Sequence, residues 1–387
     1  MSALSVRHTT PALRTYAGED ALGSLSRELA RTGVQRVMLV YGASIRDHAS
    51  VLERVESALG DRVVARFEEA REHSPLPSVE RARETLLGAE ADAVIPVGGG
   101  SAVVTARAAT ILAAEGGDAR DLCTRRGEDG RLVSPRLSAA KAAQWVVAST
   151  PTTAYAKAGA AVRDPRSGER LALFDPKARA RGVVFDPAVA ATAPPRLVRS
   201  SSLNAFAMAV DGLQSATDDP LAEALLRHAL TMVREWIGRV GEETDGDVAV
   251  RLMFASLLAG QGSDHVGAGL AQALSHVVGP RSTVGNGVIE ALLLPHTMRF
   301  NLGTTDEALR SIAAVLVGRD DASATAAIDA VEELLDGTGV PTRLRDAGVD
   351  RAAIPEIAAH ALDDWAVTTV PRRADRDELE RLLDSAW

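Results

Sequence analysis

The chain has 387 residues, 46% hydrophobic and 25% charged, a length and composition that suit two packed globular domains and exclude general disorder. Its 43 basic residues are outweighed by 52 acidic ones, a net charge of −9 that argues against a nucleic-acid or anionic-membrane surface. The single cysteine, Cys123, allows no internal disulfide and no Cys/His zinc cluster, and reads as a partly buried, inert thiol. Met1 to Pro11 carries no apolar core of a signal peptide, and runs such as Val37–Tyr41 and Ala313–Val317 are far short of the roughly 18 residues that span a bilayer. The expectation is a cytoplasmic protein with a small-molecule substrate, no nucleic acid and no membrane; a second copy of the chain, as a homodimer, is the one protein partner considered.

Short β-branched runs alternate with amphipathic stretches up to about residue 190. Val34–Tyr41, Val63–Phe67, Ala93–Val97, Trp145–Ser149 and Gly182–Phe185 predict strands. Ala21–Ala30, Ser50–Leu59, Val79–Leu87 and Val103–Ala114 predict the helices between them. That alternation means βαβ units and a parallel sheet covered on both faces, with ligands beyond the carboxyl ends of the strands. Prolines crowd Asp186–Pro195, and beyond them the strand signal stops. Leu203–Leu213, Leu221–Val240, Val248–Leu258, Ala268–Val278, Val288–Phe300, Thr305–Val317, Ala322–Leu335 and Ile354–Leu362 predict helices punctuated by Gly and Pro. The division is therefore an α/β domain over 1–190 and an all-helical domain over 191–387.

Two loops carry binding chemistry. Asp92-Ala-Val-Ile-Pro-Val97 runs into Gly98, Gly99, Gly100 and Ser101 and then a helix. Glycines let a backbone approach a pyrophosphate, and the helix N-terminus favours its charge; the same residues would also serve as a tight turn. After the strand ending at Ser149 come Thr150, Thr152 and Thr153, whose hydroxyls can bond ribose or phosphate oxygens or cap a helix.

The order Val97-Gly-Gly-Gly-Ser101, Thr150-Pro-Thr-Thr153, Phe185-Asp-Pro187, Ser202-Leu-Asn-Ala-Phe-Ala-Met208, Gly269–His276 and Leu294-Pro-His-Thr-Met-Arg-Phe-Asn301 resembles the iron-containing alcohol dehydrogenase superfamily, most closely its maleylacetate reductase branch. The resemblance covers nearly the whole chain. It implies a dehydroquinate synthase-like fold: a dinucleotide-binding α/β domain (a parallel sheet with helices on both faces), an all-α C-terminal domain, and NAD or NADP in the cleft between them.

It also implies a metal site, whose positions hold Asn204, Met208, Gln272 and Asn286 here. Three amides and a thioether bring no negative charge to balance Fe²⁺ or Zn²⁺, so no metal is expected and the four are assigned to the substrate pocket. His276 stands where the family has a histidine close to nicotinamide and substrate. It is expected to donate a proton or orient the substrate, since imidazole changes charge near neutral pH. His265 joins the pocket if one helix reaches back from Gln272 to it, and Asp211, three residues after Met208, could reach the same cleft.

Other positions depart from the family pattern. Val104 and Arg107 replace the usual Asp or Gly and Lys of the glycine-loop helix. Tyr155 and Lys157 occupy a segment usually filled by small residues, where they would bind a carboxylate, act as acids or block the cofactor. Gly42 lies where a carboxylate often selects the ribose of NAD, so NADPH stays open. Two functions follow: a metal-independent NAD(P)H-dependent reductase of a small oxo- or enoyl-acid, or a non-redox lyase, dehydratase, isomerase or cyclase of a specialised biosynthetic pathway on the same scaffold.

Overall fold

Valine, isoleucine and alanine fill strands that are buried from end to end: Val37–Val40, Ala93–Gly98 and Ala143–Ala148 expose no residue on either face. Such runs belong to parallel sheets covered on both sides. The structure, a computed structural model, describes residues 6–127 and 132–387, so the first five residues of the Met1–Pro11 segment lie outside the described residues. The sheet has six strands in the spatial order Arg14–Ala17, Ala180–Phe185, Ala143–Ala148, Ala93–Gly98, Val37–Val40, Val63–Phe67. All its pairings are parallel.

The edge strand Arg14–Ala17 escapes a pattern reading because it is short and largely exposed. So does the antiparallel hairpin Gly159–Arg163 with Arg170–Phe174, which follows the Thr150 loop and precedes the last sheet strand.

No strand follows Phe185 among the described residues. The helices Pro195–Leu213, Pro220–Trp236, Gly246–Val266, Leu270–Val278, Asn286–Asn301, Asp306–Val317 and Ala324–Asp336 form the second half, with Ile354–Ala361 and Arg376–Ala386. Among the described residues, no helix is long and apolar enough to cross a membrane. Local chemistry sets the helix starts. Pro195 supplies the fixed φ of a first helical residue. Asp219 and Asp245 each accept two backbone N–H groups.

One expected helix runs eight residues further at its C-terminal end than read. It continues past Leu258 to Val266 and ends at Gly267, whose φ is 85°. The misleading signals were Gly260 and Gly262, which are present for close packing. A Cβ on Gly262 would lie 2.6 Å from Leu226 Cγ, and one on Gly260 2.7 Å from the Thr153 carbonyl oxygen. One apolar cluster joins the halves, from Val103, Val146, Tyr155 and Phe185 to Phe206, Leu252 and Met253.

Candidate active site

The strand Ala93–Gly98 delivers Gly98 at a φ of 145°, and the helix Gly100–Glu115 starts two residues later. A Cβ on Gly99 would stand 2.3 Å from Thr150 Oγ1, and one on Gly100 3.2 Å from Thr152 Oγ1. The two loops therefore abut, at the carboxyl ends of neighbouring strands. Ser74 Oγ donates to the Ser101 carbonyl at 3.2 Å and braces the loop from the other side. Thr152 Oγ1 accepts from the Ala154 amide at 3.2 Å and caps a short turn, while Thr150 and Thr153 are buried. No acidic residue occupies the first turn of the helix Gly100–Glu115. Free amides, small residues and no carboxylate fit a dinucleotide pyrophosphate.

Arg107 is fully buried, and its guanidinium donates to the carbonyls of Ala178, Gly159 and Ala154 at 3.2, 2.9 and 2.8 Å. It clamps the segment after Thr153 from beneath. Burial pulls its pKa down to about 9, with the charge of Arg179 acting in the same direction.

Tyr155 requires a correction. Expected as an acid or carboxylate ligand, it is fully buried against Phe185, and its hydroxyl donates to the Thr150 carbonyl. Burial pushes its pKa well above the phenolic range, so it locks the loop and does not reach the cleft. Lys157 donates to Ser263 Oγ at 2.8 Å and lies 3.9 Å from Asp264, which also pairs with Arg179 at 2.6 Å. Burial lowers its pKa to about 8.

The helical wall holds the four residues expected, from the resemblance, at the family's metal positions. Asn204 Nδ2 donates to Glu290 Oε2 at 2.5 Å. Asn286 opens its helix against Gly279, where a Cβ would lie 1.9 Å from Asn286 Oδ1. Met208 is buried. The Gln272 amide N–H donates to Asp211 Oδ2 at 3.3 Å, and Gln272 Oε1 and Glu290 Oε1 are buried with no hydrogen-bond partner. Burial, first, and then the charge of Asp211 push Glu290 well above the carboxylate range. Burial pushes Asp211 up to about 7, against the backbone N–H groups of Gln272 and Ala271. The four positions thus present three amides and a thioether, with the buried carboxyls of Asp211 and Glu290 beside them, both shifted upward by burial. That donor set does not fit Fe²⁺ or Zn²⁺, which need imidazole, thiolate or carboxylate anions.

His276 lies on the helix Leu270–Val278, with Nδ1 2.9 Å from Asp364 Oδ2 and the Trp365 ring 6.0 Å away. Asp364 Oδ1 accepts from the Ala366 amide at 2.8 Å, so the carboxylate is fixed at both ends. With Nδ1–H donating to Asp364, Nε2 is the free nitrogen. Burial, first, and then the charge of Arg170 lower the imidazole pKa, and Asp364 opposes them. Arg170 belongs to the hairpin of the α/β half, so both halves contribute to the surroundings of His276.

His265 also needs correction. It ends the helix Gly246–Val266, and Gly267 separates it from the helix of Gln272 and His276. Its ring stacks on His8 instead. Pattern reading missed Glu290, although a lone charge between Ile289 and Ala291-Leu-Leu-Leu294 is a usable signal. Asp364 and Arg170 carry no such signal.

Residues 12–187 match the family described as iron-containing alcohol dehydrogenase, and residues 198–387 match the C-terminal Fe-containing alcohol dehydrogenase family. The chain belongs to the iron-containing alcohol dehydrogenase family. It is 28% identical to lactaldehyde reductase of Escherichia coli strain K12, over 96% of this chain and 97% of that one. It is 29% identical to maleylacetate reductase 2 of Cupriavidus pinatubonensis, over 99% and 96%. Sulfoacetaldehyde reductase from Bifidobacterium kashiwanohense, solved in complex with NAD+, superimposes with a TM-score of 0.85 over 99% of each chain at 16% identity. The family places this chain among NAD(P)-dependent oxidoreductases.

Proposed function

We propose that this family member is a metal-independent NAD(P)H-dependent reductase of a small oxo- or enoyl-acid, similar to maleylacetate reductase. The observation that carries it is a glycine and threonine cradle together with a helical wall of amide and thioether side chains, Asn204, Met208, Gln272 and Asn286, which in this reading stand where the family has metal donors. Gly98, Gly99, Gly100, Ser101 and Thr150 would hold the pyrophosphate, and the bound nicotinamide would supply hydride to a substrate carbon. His276, charged as imidazolium with Nδ1–H held by Asp364, would give its Nε2 proton to the oxygen or carbon that gains negative charge and be left as the neutral Nδ1–H tautomer; Asp364 favours the charged form that the step requires. Arg170 places a positive charge beside His276, suited to a substrate carboxylate. Without a carboxylate at Gly42, both NADH and NADPH are accepted in this reading.

A second reading, a non-redox enzyme of a biosynthetic pathway, is favoured by one observation. Asp211 and Glu290 are buried carboxyls that hydride transfer does not use. Calorimetric titration with NADH and NADPH separates the two, because only the reductase binds either. The decisive assay is oxidation of NADH or NADPH with a panel of oxo- and enoyl-acids, before and after removal of metal by EDTA. Turnover that survives chelation supports the proposal. Turnover lost on chelation and restored by Fe²⁺, in a variant lacking His8 and His265 imidazoles, overturns it.

A further inference from the structure

Away from the helical wall, three side chains from three separate segments meet. His8 comes from the segment leading into the first strand, Asp219 precedes the helix Pro220–Trp236, and His265 ends the helix Gly246–Val266. One ligand atom of each lies within 4.8 Å of the other two. Among the described residues this is the one grouping of three such side chains close enough to share an ion. His8 Nδ1 is 2.7 Å from Asp219 Oδ2, and the His8 and His265 rings stack with centroids 3.6 Å apart. Both members of the His8–Asp219 pair are nearly buried.

We propose that His8, Asp219 and His265 form a binding site for a divalent transition metal such as Zn²⁺ or Co²⁺, distinct from the family's metal position. Two imidazoles and one carboxylate are a donor set that zinc takes with its fourth position left open. Ligands at about 2.0–2.1 Å from a tetrahedral ion are roughly 3.3 Å apart. The imidazoles are stacked in the metal-free state, so binding would require them to turn until their nitrogens face a common point. Asp219 is already positioned, because Oδ1 accepts the backbone N–H groups of Leu221 and Ala222 at 3.0 and 3.1 Å and leaves Oδ2 to the histidines. The His8 and His265 side chains line a cavity of about 360 Å³ with Thr10, His228 and Gln261, which leaves room for a water or an exogenous fourth ligand.

The bound ion would tie the N-terminal segment to the end of the helix that carries Ser263 and Asp264. Those two residues hold Lys157 and Arg179 beside the cofactor loop. The proposal does not depend on which reaction the enzyme catalyses.

The test uses full-length protein without an affinity tag, stripped by chelation and then titrated with Zn²⁺ by calorimetry and with Co²⁺ by visible absorption. One equivalent of each ion is expected to bind, with a Co²⁺ spectrum of low-coordinate type and a raised melting temperature. His8→Ala and His265→Ala should each weaken binding by tenfold or more. Asp219→Asn retains an oxygen to cap the helix while removing the charge, so it should weaken binding with little change in metal-free melting temperature. Failure of the folded wild type to bind either ion at about 100 μM overturns the site. Stoichiometric binding that all three variants leave unchanged overturns it as well.

Discussion

Asn204 on the helix Pro195–Leu213 donates its side-chain amide to Glu290 on the helix Asn286–Asn301, at 2.5 Å. The helices can approach this closely because residue 287 is glycine: a Cβ there would lie 2.9 Å from that of Asn204 and 2.6 Å from the Ser200 carbonyl oxygen. Glu290 has 1% relative exposure, and one of its oxygens has no partner. Burial with one oxygen unpartnered favours the neutral acid over the carboxylate.

Glu290→Gln should therefore be nearly neutral for the fold, because an amide keeps the oxygen that accepts from Asn204. The expected change in melting temperature at pH 7 is under about 1 °C, equivalent to less than about 1 kcal/mol for a chain of this length. Glu290→Leu leaves the Asn204 amide unpaired and should cost about 1–3 kcal/mol. Equal losses in both variants would show that the fold needs an ionised carboxylate there.

Asp211 makes stability depend on pH. Its carboxyl titrates at about 7 in the fold against an ordinary 3.8. Below the lower value both states are protonated and there is no penalty. Between 3.8 and about 7 the native state holds the extra proton, so its stability falls as pH rises, and the full cost remains above that window. Asp211→Asn removes the penalty and still accepts the Gln272 amide. Its melting temperature, compared with wild type from pH 4 to 8, should gain progressively and level off above about 7. A constant difference across that range would remove Asp211 as the cause.

Arg107 supports the cofactor loop from inside the protein. An ammonium cannot reach the three carbonyls that the guanidinium spans, so Arg107→Lys should lose at least one charge-assisted hydrogen bond, about 2–3 kcal/mol. The freed Ala154–Gly159 segment should also weaken NADH or NADPH binding severalfold. Melting and calorimetric titration report the two effects. A destabilised variant with full cofactor affinity would limit Arg107 to a packing role.

Gly99 tests the cradle. Its Cβ would strike Thr150 Oγ1 before reaching any ligand, so a single Gly99→Ala change disturbs the loop as well as the site. Thr150→Ala removes the struck atom. The double variant Gly99→Ala with Thr150→Ala should fold like Thr150→Ala alone yet bind NADH at least tenfold more weakly. Equal affinity of those two variants would mean the glycines form only a turn.

For His276, turnover is the readout. His276→Ala should lower it by about 10² to 10⁴ with little change in substrate affinity, the range expected when a general acid is lost. Asp364→Asn keeps an acceptor for Nδ1–H but withdraws the charge that favours imidazolium. Its pH profile for turnover should shift to lower pH than that of wild type. More than about a third of wild-type turnover in His276→Ala would assign the histidine to packing and send the search for the proton donor back to the cleft.

The sequence by itself determined what depends on neighbours along the chain. The apolar run Ala93–Val97, the three glycines and the helix after them define a strand, a turn and a helix N-terminus within some twenty residues. The change from alternating strands to continuous helices near Pro195 is equally local, since side-chain periodicity of two or 3.6 records which face each element buries. That Asn204, Met208, Gln272 and Asn286 are amides and a thioether is likewise read directly from the sequence. Tertiary structure decided which of these residues could act. Tyr155 looks reactive in a list of residues, but the Thr150 carbonyl and Phe185 take it into the core. His265 and Gln272 lie seven residues apart, and Gly267 sends them to different helices. Asn204 meets Glu290 across 86 positions, and His276 meets Asp364 across 88. Such partners are set by how helices pack and cross, because burial charges a polar group for every bond it leaves unmade, and only the folded chain determines which groups are close enough to make them.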